Sequence, residues 1–241
     1  MPTLVVTGGA KGIGLGTAER FAGEGWNVVI ADIDGEAGER EARRIGGSYV
    51  SVDATSRAAL FEAFARIAAD HGGIECLVPS AGITIVGPSA DLPEESWRNV
   101  LSLDLDGVFY SCQAAVEHMP QGSSIVMLSS IAAYRGMRER AAYCVAKAGI
   151  CALVRVLSAE WAERGVRVNA IAPGWTQTPF LDDAAAAGYV DIEELKSRPP
   201  MKGLAQVSDI VAGIHYLASD EARFVTGQTL AIDGGWTWAG P

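Results

Sequence analysis

Thr3-Leu4-Val5-Val6-Thr7 runs directly into Gly8-Gly9-Ala10-Lys11-Gly12-Ile13-Gly14. A short β-branched apolar run breaks into a glycine turn, and a helical pattern follows to about Gly25. Strand, glycine turn and helix N-terminus in that order form a place for phosphate. Glycines let the backbone close tightly around an anion, and the helix start offers free N–H groups and partial positive charge. The spacing is GxxxGxG rather than GxGxxG. Taken alone, the turn fits a plain tight strand-to-helix connection as well.

The same alternation continues outward. Apolar runs at 27–31, 48–52, 75–79, 124–129, 166–172 and 229–232 read as strands. Helical patterns lie between them, at 36–45, from Ser56 as N-cap to about His71, through 93–118, at 141–164 and at 207–219. Unbroken apolar strands such as Asn27-Val28-Val29-Ile30-Ala31 suit a sheet covered on both faces. The pattern predicts an α/β fold, a doubly wound parallel sheet of about seven strands in one domain spanning 1–241. The segment 175–203 follows a strand and is too long for a simple connection, so it reads as a substrate loop. Trp175, Phe180, Leu181 and Tyr189 within it are candidates to close over an apolar substrate or to pack the loop down.

Nineteen Lys and Arg against 29 Asp and Glu give a net charge of −10. A chain that acidic repels nucleic-acid phosphates and anionic lipid, so neither is expected as a partner. No apolar run of about 18 residues is evident. The start has no basic-then-apolar leader, and a cytoplasmic location is expected. Cys76, Cys112, Cys144 and Cys151 are scattered and read as free thiols; His71, His118 and His215 stand apart, so no metal site is expected.

Asp32 ends the second strand, eighteen residues after Gly14. A carboxylate there accepts from a ribose diol and repels a 2′-phosphate, which favours NAD; Lys11 beside the turn pulls toward NADP. A helix N-cap is the other reading of Asp32. Asp53, after the third strand, either accepts from an adenine amino group or caps the helix at Ser56. A second constellation is Ser129-Ser130 at a strand end, followed by Tyr143-Cys144-Val145-Ala146-Lys147. Tyr143 and Lys147 share a helix face, where the ammonium favours the phenolate and suits the Tyr to acid–base work. An ordinary surface Tyr/Lys pair has the same spacing.

In combination these motifs resemble the short-chain dehydrogenase/reductase family, in its short NAD(P)-binding branch. The matching stretches are 7–14, Asp32, 52–54 (VDA), 80–82 (SAG), Ser130, 143–147 (YCVAK), 169–178 (NAIAPGWTQT) and 225–235 (VTGQTLAIDGG). They keep the family's order along the whole chain, and Ser130 precedes Tyr143 by the usual thirteen residues. The resemblance implies hydride transfer between a nicotinamide dinucleotide and an alcohol or carbonyl. It makes Tyr143 the general acid/base, Ser130 the holder of the substrate oxygen, and Lys147 the ligand of the nicotinamide ribose. It places the cofactor along Gly8, Lys11, Gly12, Ile13, Gly14, Asp32, Ile33, Asp53, Ala54, Ser80, Ala81, Gly82, Tyr143, Lys147, Pro173, Gly174, Thr176 and Thr178. A homo-oligomer, tetramer or dimer, is also implied.

Two departures stand out. Pro79 replaces the usual polar residue before Ser80-Ala81-Gly82 and removes an N–H. Asp104 stands where the family has Asn, whose backbone carbonyl helps hold a water linking the Lys to solvent. An added carboxylate near Lys147 stabilises its ammonium, so Asp104 joins the catalytic set as a residue expected to shift the pH optimum. Between Ser130 and Tyr143 lie Arg135, Arg138 and Arg140. Arg140, with Ser130 and Trp175, is a candidate substrate contact for an anionic group; an ion-pair cluster with Glu139 is the alternative. The expected function is an NAD-dependent alcohol dehydrogenase or ketoreductase. An NADP-preferring ketoreductase, an enoyl reductase and a catalytically weakened dinucleotide-binding regulator are the alternatives. An alcohol or carbonyl compound is the expected small-molecule partner.

Overall fold

The computed structural model describes residues 1–239. Seven strands, β1 (Thr3–Thr7), β2 (Asn27–Asp32), β3 (Ser48–Ser51), β4 (Cys76–Pro79), β5 (Ser124–Leu128), β6 (Arg167–Pro173) and β7 (Thr229–Ile232), form one parallel sheet. Their order is β3-β2-β1-β4-β5-β6-β7. The helices are α1 (Gly12–Ala22), α2 (Gly35–Ile45), α3 (Arg57–His71), α4 (Glu94–Leu101), α5 (Val108–Val116), α6 (Ala141–Trp161), α7 (Pro179–Ala186), α8 (Ile192–Ser197) and α9 (Val207–Ala218).

Side chains alternate across each strand, and this sorts the core into two layers. Val5, Val29, Ile125 and Met127 pack with Leu60 and Phe64 of α3, Cys112 of α5, and Ile150 and Val154 of α6. Leu4, Val6, Ile30 and Val126 point the other way, onto Phe21 of α1, Ala42 of α2, and Ile210 and Ile214 of α9. Every residue of β1 and β5 is buried, which is why these strands read as continuous apolar runs. Truncating a fully buried aromatic such as Phe64 costs about 3–5 kcal/mol.

The chain leaves β1 toward β2 and β3, then returns to place β4 on the other side of β1. That reversal opens a crevice beyond the C-terminal ends of β1 and β4, where ligands bind in such sheets. Two turns meet there. Gly8 has φ +66°, and a Cβ on it would stand 2.6 Å from the Ala81 backbone, so only glycine lets the first turn lie against the loop after β4. Pro79 is accommodated at the end of β4, because the β4–β5 ladder stops at Leu77 and asks for no N–H beyond it.

Three expectations change. The pattern read through 93–118 is not one helix: Ser102–Gly107 forms a π-helical segment between α4 and α5. The stretch 175–203 is not an irregular loop, since it contains α7 and α8, capped by Thr178 and Asp191. A helix long and apolar enough to cross a membrane does exist by length and composition, Ala141–Arg164. Here it lies along the sheet, with Ile150, Val154 and Leu157 in the core.

Candidate active site

A cleft of about 760 Å³ runs along the C-terminal edge of the sheet. At one end it is lined by Gly8, Lys11, Gly12, Ile13, Asp32, Ile33, Asp53 and Ala54; Ser80, Ala81, Gly82, Pro173, Gly174, Thr176 and Thr178 form its middle walls. Ser130, Tyr143, Lys147, Asp104, Arg140 and Trp175 line the other end. Gly14 is the exception among the sequence-derived candidates. It is buried behind the turn, where a Cβ would meet the Gly8 carbonyl at 2.3 Å, so its lack of a side chain lets α1 pack on the turn.

At the glycine-turn end, no side chain caps the first turn of α1, whose N-cap is Lys11. A Cβ on Gly12 would meet no protein atom, so this rim is open to an incoming anion. Asp32 is not a helix cap; Asp34 caps α2 by accepting from the Ala37 N–H at 3.1 Å. The Asp32 carboxylate instead accepts from the Ala10 N–H and the Asp34 N–H, each at 3.0 Å, which fixes it beside the turn. The α3 cap is Ser56, and Asp53 binds the N–H and hydroxyl of Thr55 while facing the cleft.

At the far end, Tyr143 and Lys147 sit on the first two turns of α6, with the ammonium 5.4 Å from the Tyr143 ring centre. Lys147 is buried; its Nζ donates to the Leu128 carbonyl at 3.2 Å and lies 3.0 Å from Oδ2 of Asp104. Asp104 is fully buried in the π-helical segment, and its Oδ1 accepts from the Ile83 N–H at 2.8 Å. The Nζ–Oδ2 approach is an ion contact off the hydrogen-bonding angle, and Oδ2 has no other polar partner among the described residues. Burial pushes the Lys147 ammonium toward deprotonation, but the charges of Asp104 and Tyr143 outweigh it and hold it above the ordinary lysine value. Ser129 anchors α6 by donating to the Lys147 carbonyl at 2.9 Å, and Ser130 accepts from the Ala132 N–H at 3.1 Å.

The arginines separate in role. Arg135 donates to the carbonyls of Thr237 and Ala239 and is held there. Arg138 is exposed. Arg140 lines the cleft, its guanidinium 5.9 Å from the Trp175 ring and 3.4 Å from the Arg138 carbonyl. Among the described residues of this single chain it pairs with no carboxylate, Glu139 included; its only side-chain bond is to the Arg138 carbonyl. Phe180 and Leu181 line the cleft; Tyr189 is exposed and does not. Sequence reasoning missed Thr84, Leu103, Met137 and Asp183 as lining residues. The π-helical turn that aims Asp104 inward leaves no signal in residue spacing. Among the described residues no His, Cys, Asp and Glu cluster suits a metal ion.

A family model described as enoyl-(acyl carrier protein) reductase matches residues 8–237. The chain is 34% identical to the NADP-dependent (R)-specific alcohol dehydrogenase of Lentilactobacillus kefiri, over 97% of this chain and 95% of that protein. It is 37% identical to the cis-4-hydroxycyclohexanecarboxylate dehydrogenase of Sinomonas cyclohexanicum, again over 97% and 95%. The solved structure of a short-chain dehydrogenase/reductase, SDR:glucose/ribitol dehydrogenase, from Brucella melitensis superposes with a TM-score of 0.93 at 36% identity, covering 99% of this chain and 97% of that one. With the seven-stranded sheet and the cleft across its edge, these likenesses establish that the chain belongs to the short-chain dehydrogenase/reductase family, a family of oxidoreductases that use a nicotinamide cofactor.

Proposed function

We propose that the chain interconverts a secondary alcohol and its ketone with NAD(H). The observation that carries this reading is one continuous cleft joining the fixed Asp32 carboxylate to Ser130, Tyr143 and Lys147. The residues fit a dinucleotide: the uncapped start of α1 and the open rim at Gly12 suit a pyrophosphate, and Asp32 suits a ribose diol. When bound, such a cofactor accepts or donates the hydride. Tyr143 takes the alcohol proton during oxidation and returns it during reduction, while the Ser130 hydroxyl holds the substrate oxygen. Lys147 holds the ribose and keeps a positive charge beside Tyr143.

NAD is favoured over NADP because three carboxylates, Asp32, Asp34 and Asp53, line the glycine-turn end against one cation, Lys11. A 2′-phosphate would enter among them. The Lentilactobacillus relative is NADP-dependent by name, and Lys11 offers a phosphate partner, so a preference for NADP is the opposing outcome. A panel of secondary alcohols assayed with NAD and NADP in parallel decides between them. Reduction of NAD is expected; faster reduction of NADP would mean that Lys11 outweighs the acids.

For the substrate we propose a hydroxy compound with an anionic group on a largely hydrocarbon body. Arg140 faces the cleft without an acid partner among the described residues, next to Met137, Trp175 and Phe180. The Sinomonas relative, named for a hydroxy acid on a cyclohexane ring, supports the same class. Arg140→Ala should raise KM about tenfold or more for a hydroxycarboxylate and leave a neutral cyclic alcohol little changed. Equal losses on both would remove the anion from the proposal. We further expect a cytoplasmic homo-oligomer, tetramer or dimer. Phe224 and Trp238, 96% and 77% exposed near the edge strand β7, support a covered surface there.

A further inference from the structure

We propose that Asp104 is a positioning residue for the Tyr143–Lys147 pair: its carboxylate, bridging the Ile83 N–H and the Lys147 ammonium, balances that ammonium's charge and sets the pH range of turnover. The proposal rests on the catalytic reading of Tyr143 and Lys147 given above.

Two donors converge on the side chain at 104. The Ile83 N–H reaches Oδ1 at 2.8 Å, and the Lys147 ammonium lies 3.0 Å from Oδ2. An Asn in this pocket accepts from one donor and turns its own NH₂ toward the other. A carboxylate can face both donors at once, with no N–H of its own turned toward either. A Cβ on Gly82 would lie 2.9 Å from Oδ2, so the loop after β4 closes directly over the pair. Oδ2 is itself shut off from solvent, so the two charges are screened less than a surface pair.

The electrostatic consequence has a sign. With Asp104 ionised, the pair presents no net charge to the Tyr143 hydroxyl. Removing the carboxylate leaves a bare ammonium, which favours the phenolate and makes the base form available at lower pH. The same removal leaves Lys147 buried without its anion, so the ammonium itself gives up its proton at lower pH. Both limbs of the pH–rate profile for alcohol oxidation should then move in the acid direction.

The other charges around α6 do not substitute for Asp104. Asp106 of the same π-helical segment is exposed. On α4, Arg98 pairs with Glu94 at the surface, and Glu95 is exposed. Arg167 of β6 is occupied by the carbonyls of Leu217, Ala218 and Ser219, and Glu163 and Arg164 lie past the far end of the helix. Tyr134 and Cys151 contact each other a turn beyond Lys147. Arg140 and Asp183 face the cleft itself.

The test is the pH dependence of kcat/KM for alcohol oxidation in wild type, Asp104→Asn and Asp104→Ser. Both limbs are expected about one pH unit lower in the variants, with turnover retained. Reduced turnover with both limbs at the wild-type positions would reduce Asp104 to a packing role and overturn the proposal. Tyr143→Phe separates this failure from that of the underlying reading, because it removes turnover whether or not the limbs move. If neither variant folds, the ¹³Cε resonance of Lys147 in the wild-type protein still decides the matter. It should hold its ammonium position beyond pH 10.5, the ordinary lysine value. Conversion to the amine at or below about pH 9 would overturn the proposal.

Discussion

At the glycine-turn end of the cleft, Asp32 and Asp53 stand half or fully exposed and are held by backbone N–H groups; at the Tyr143 end, Asp104 and Lys147 are buried and held by each other. The first arrangement leaves charge facing water, where solvent screens it and each group acts on whatever touches it directly. The second takes both charges out of water, and removing one partner leaves the other buried at a cost in stability or a shift in its proton affinity. On the function proposed above, selection between NAD and NADP falls to the exposed end, and the proton chemistry, together with part of the fold's stability, falls to the buried end.

The strongest way to break this contrast is to remove one member of the buried pair. Lys147→Met leaves Asp104 an uncompensated charge in the core and should cost about 3–5 kcal/mol in a urea unfolding experiment. Adding Asp104→Leu should restore part of that loss, because it removes the orphaned charge. The pH dependence carries the same signature. Lys147 holds its proton more tightly folded than unfolded, so its contribution is complete below pH 10.5 and is lost as pH rises through the higher folded value. Wild type should therefore lose stability on that alkaline side more steeply than the double variant.

A smaller effect is expected at the exposed end. Asp32→Ala should shift the NAD to NADP preference about tenfold toward NADP, or roughly 1.4 kcal/mol, with little change in unfolding midpoint. A loss of stability as large as that of Lys147→Met would mean that the bonds to the Ala10 and Asp34 N–H groups carry structure rather than selectivity.

Much of this was legible in the sequence because it is written in short local patterns. The seven strands follow from apolar runs whose alternate residues pack on opposite faces of the sheet. The pairing of Tyr143 with Lys147 follows from helical spacing, and the turn at Gly8 from its glycines. Contacts made across the fold were harder to read. The π-helical segment at 102–107 spans six residues, too few for its wider turn to show as a period of its own within the apolar pattern. That Asp104 would reach both Ile83 and Lys147 depends on how three elements pack. Gly14 reads as a ligand contact in the motif, yet it serves the packing of α1 on the turn. Arg135, Arg138 and Arg140 are indistinguishable by type, and only the C-terminal carbonyls that hold Arg135 separate it from Arg140.

The central claim is that one phenol at the end of the cleft carries the proton during hydride transfer. Its most direct test compares wild type and Tyr143→Phe for NADH formation on the best alcohol of the panel. The account predicts a loss of about 10²–10⁴-fold in kcat with an unchanged melting temperature, since the phenol hydroxyl makes no hydrogen bond to another described residue. Turnover by Tyr143→Phe within a few-fold of wild type would contradict it.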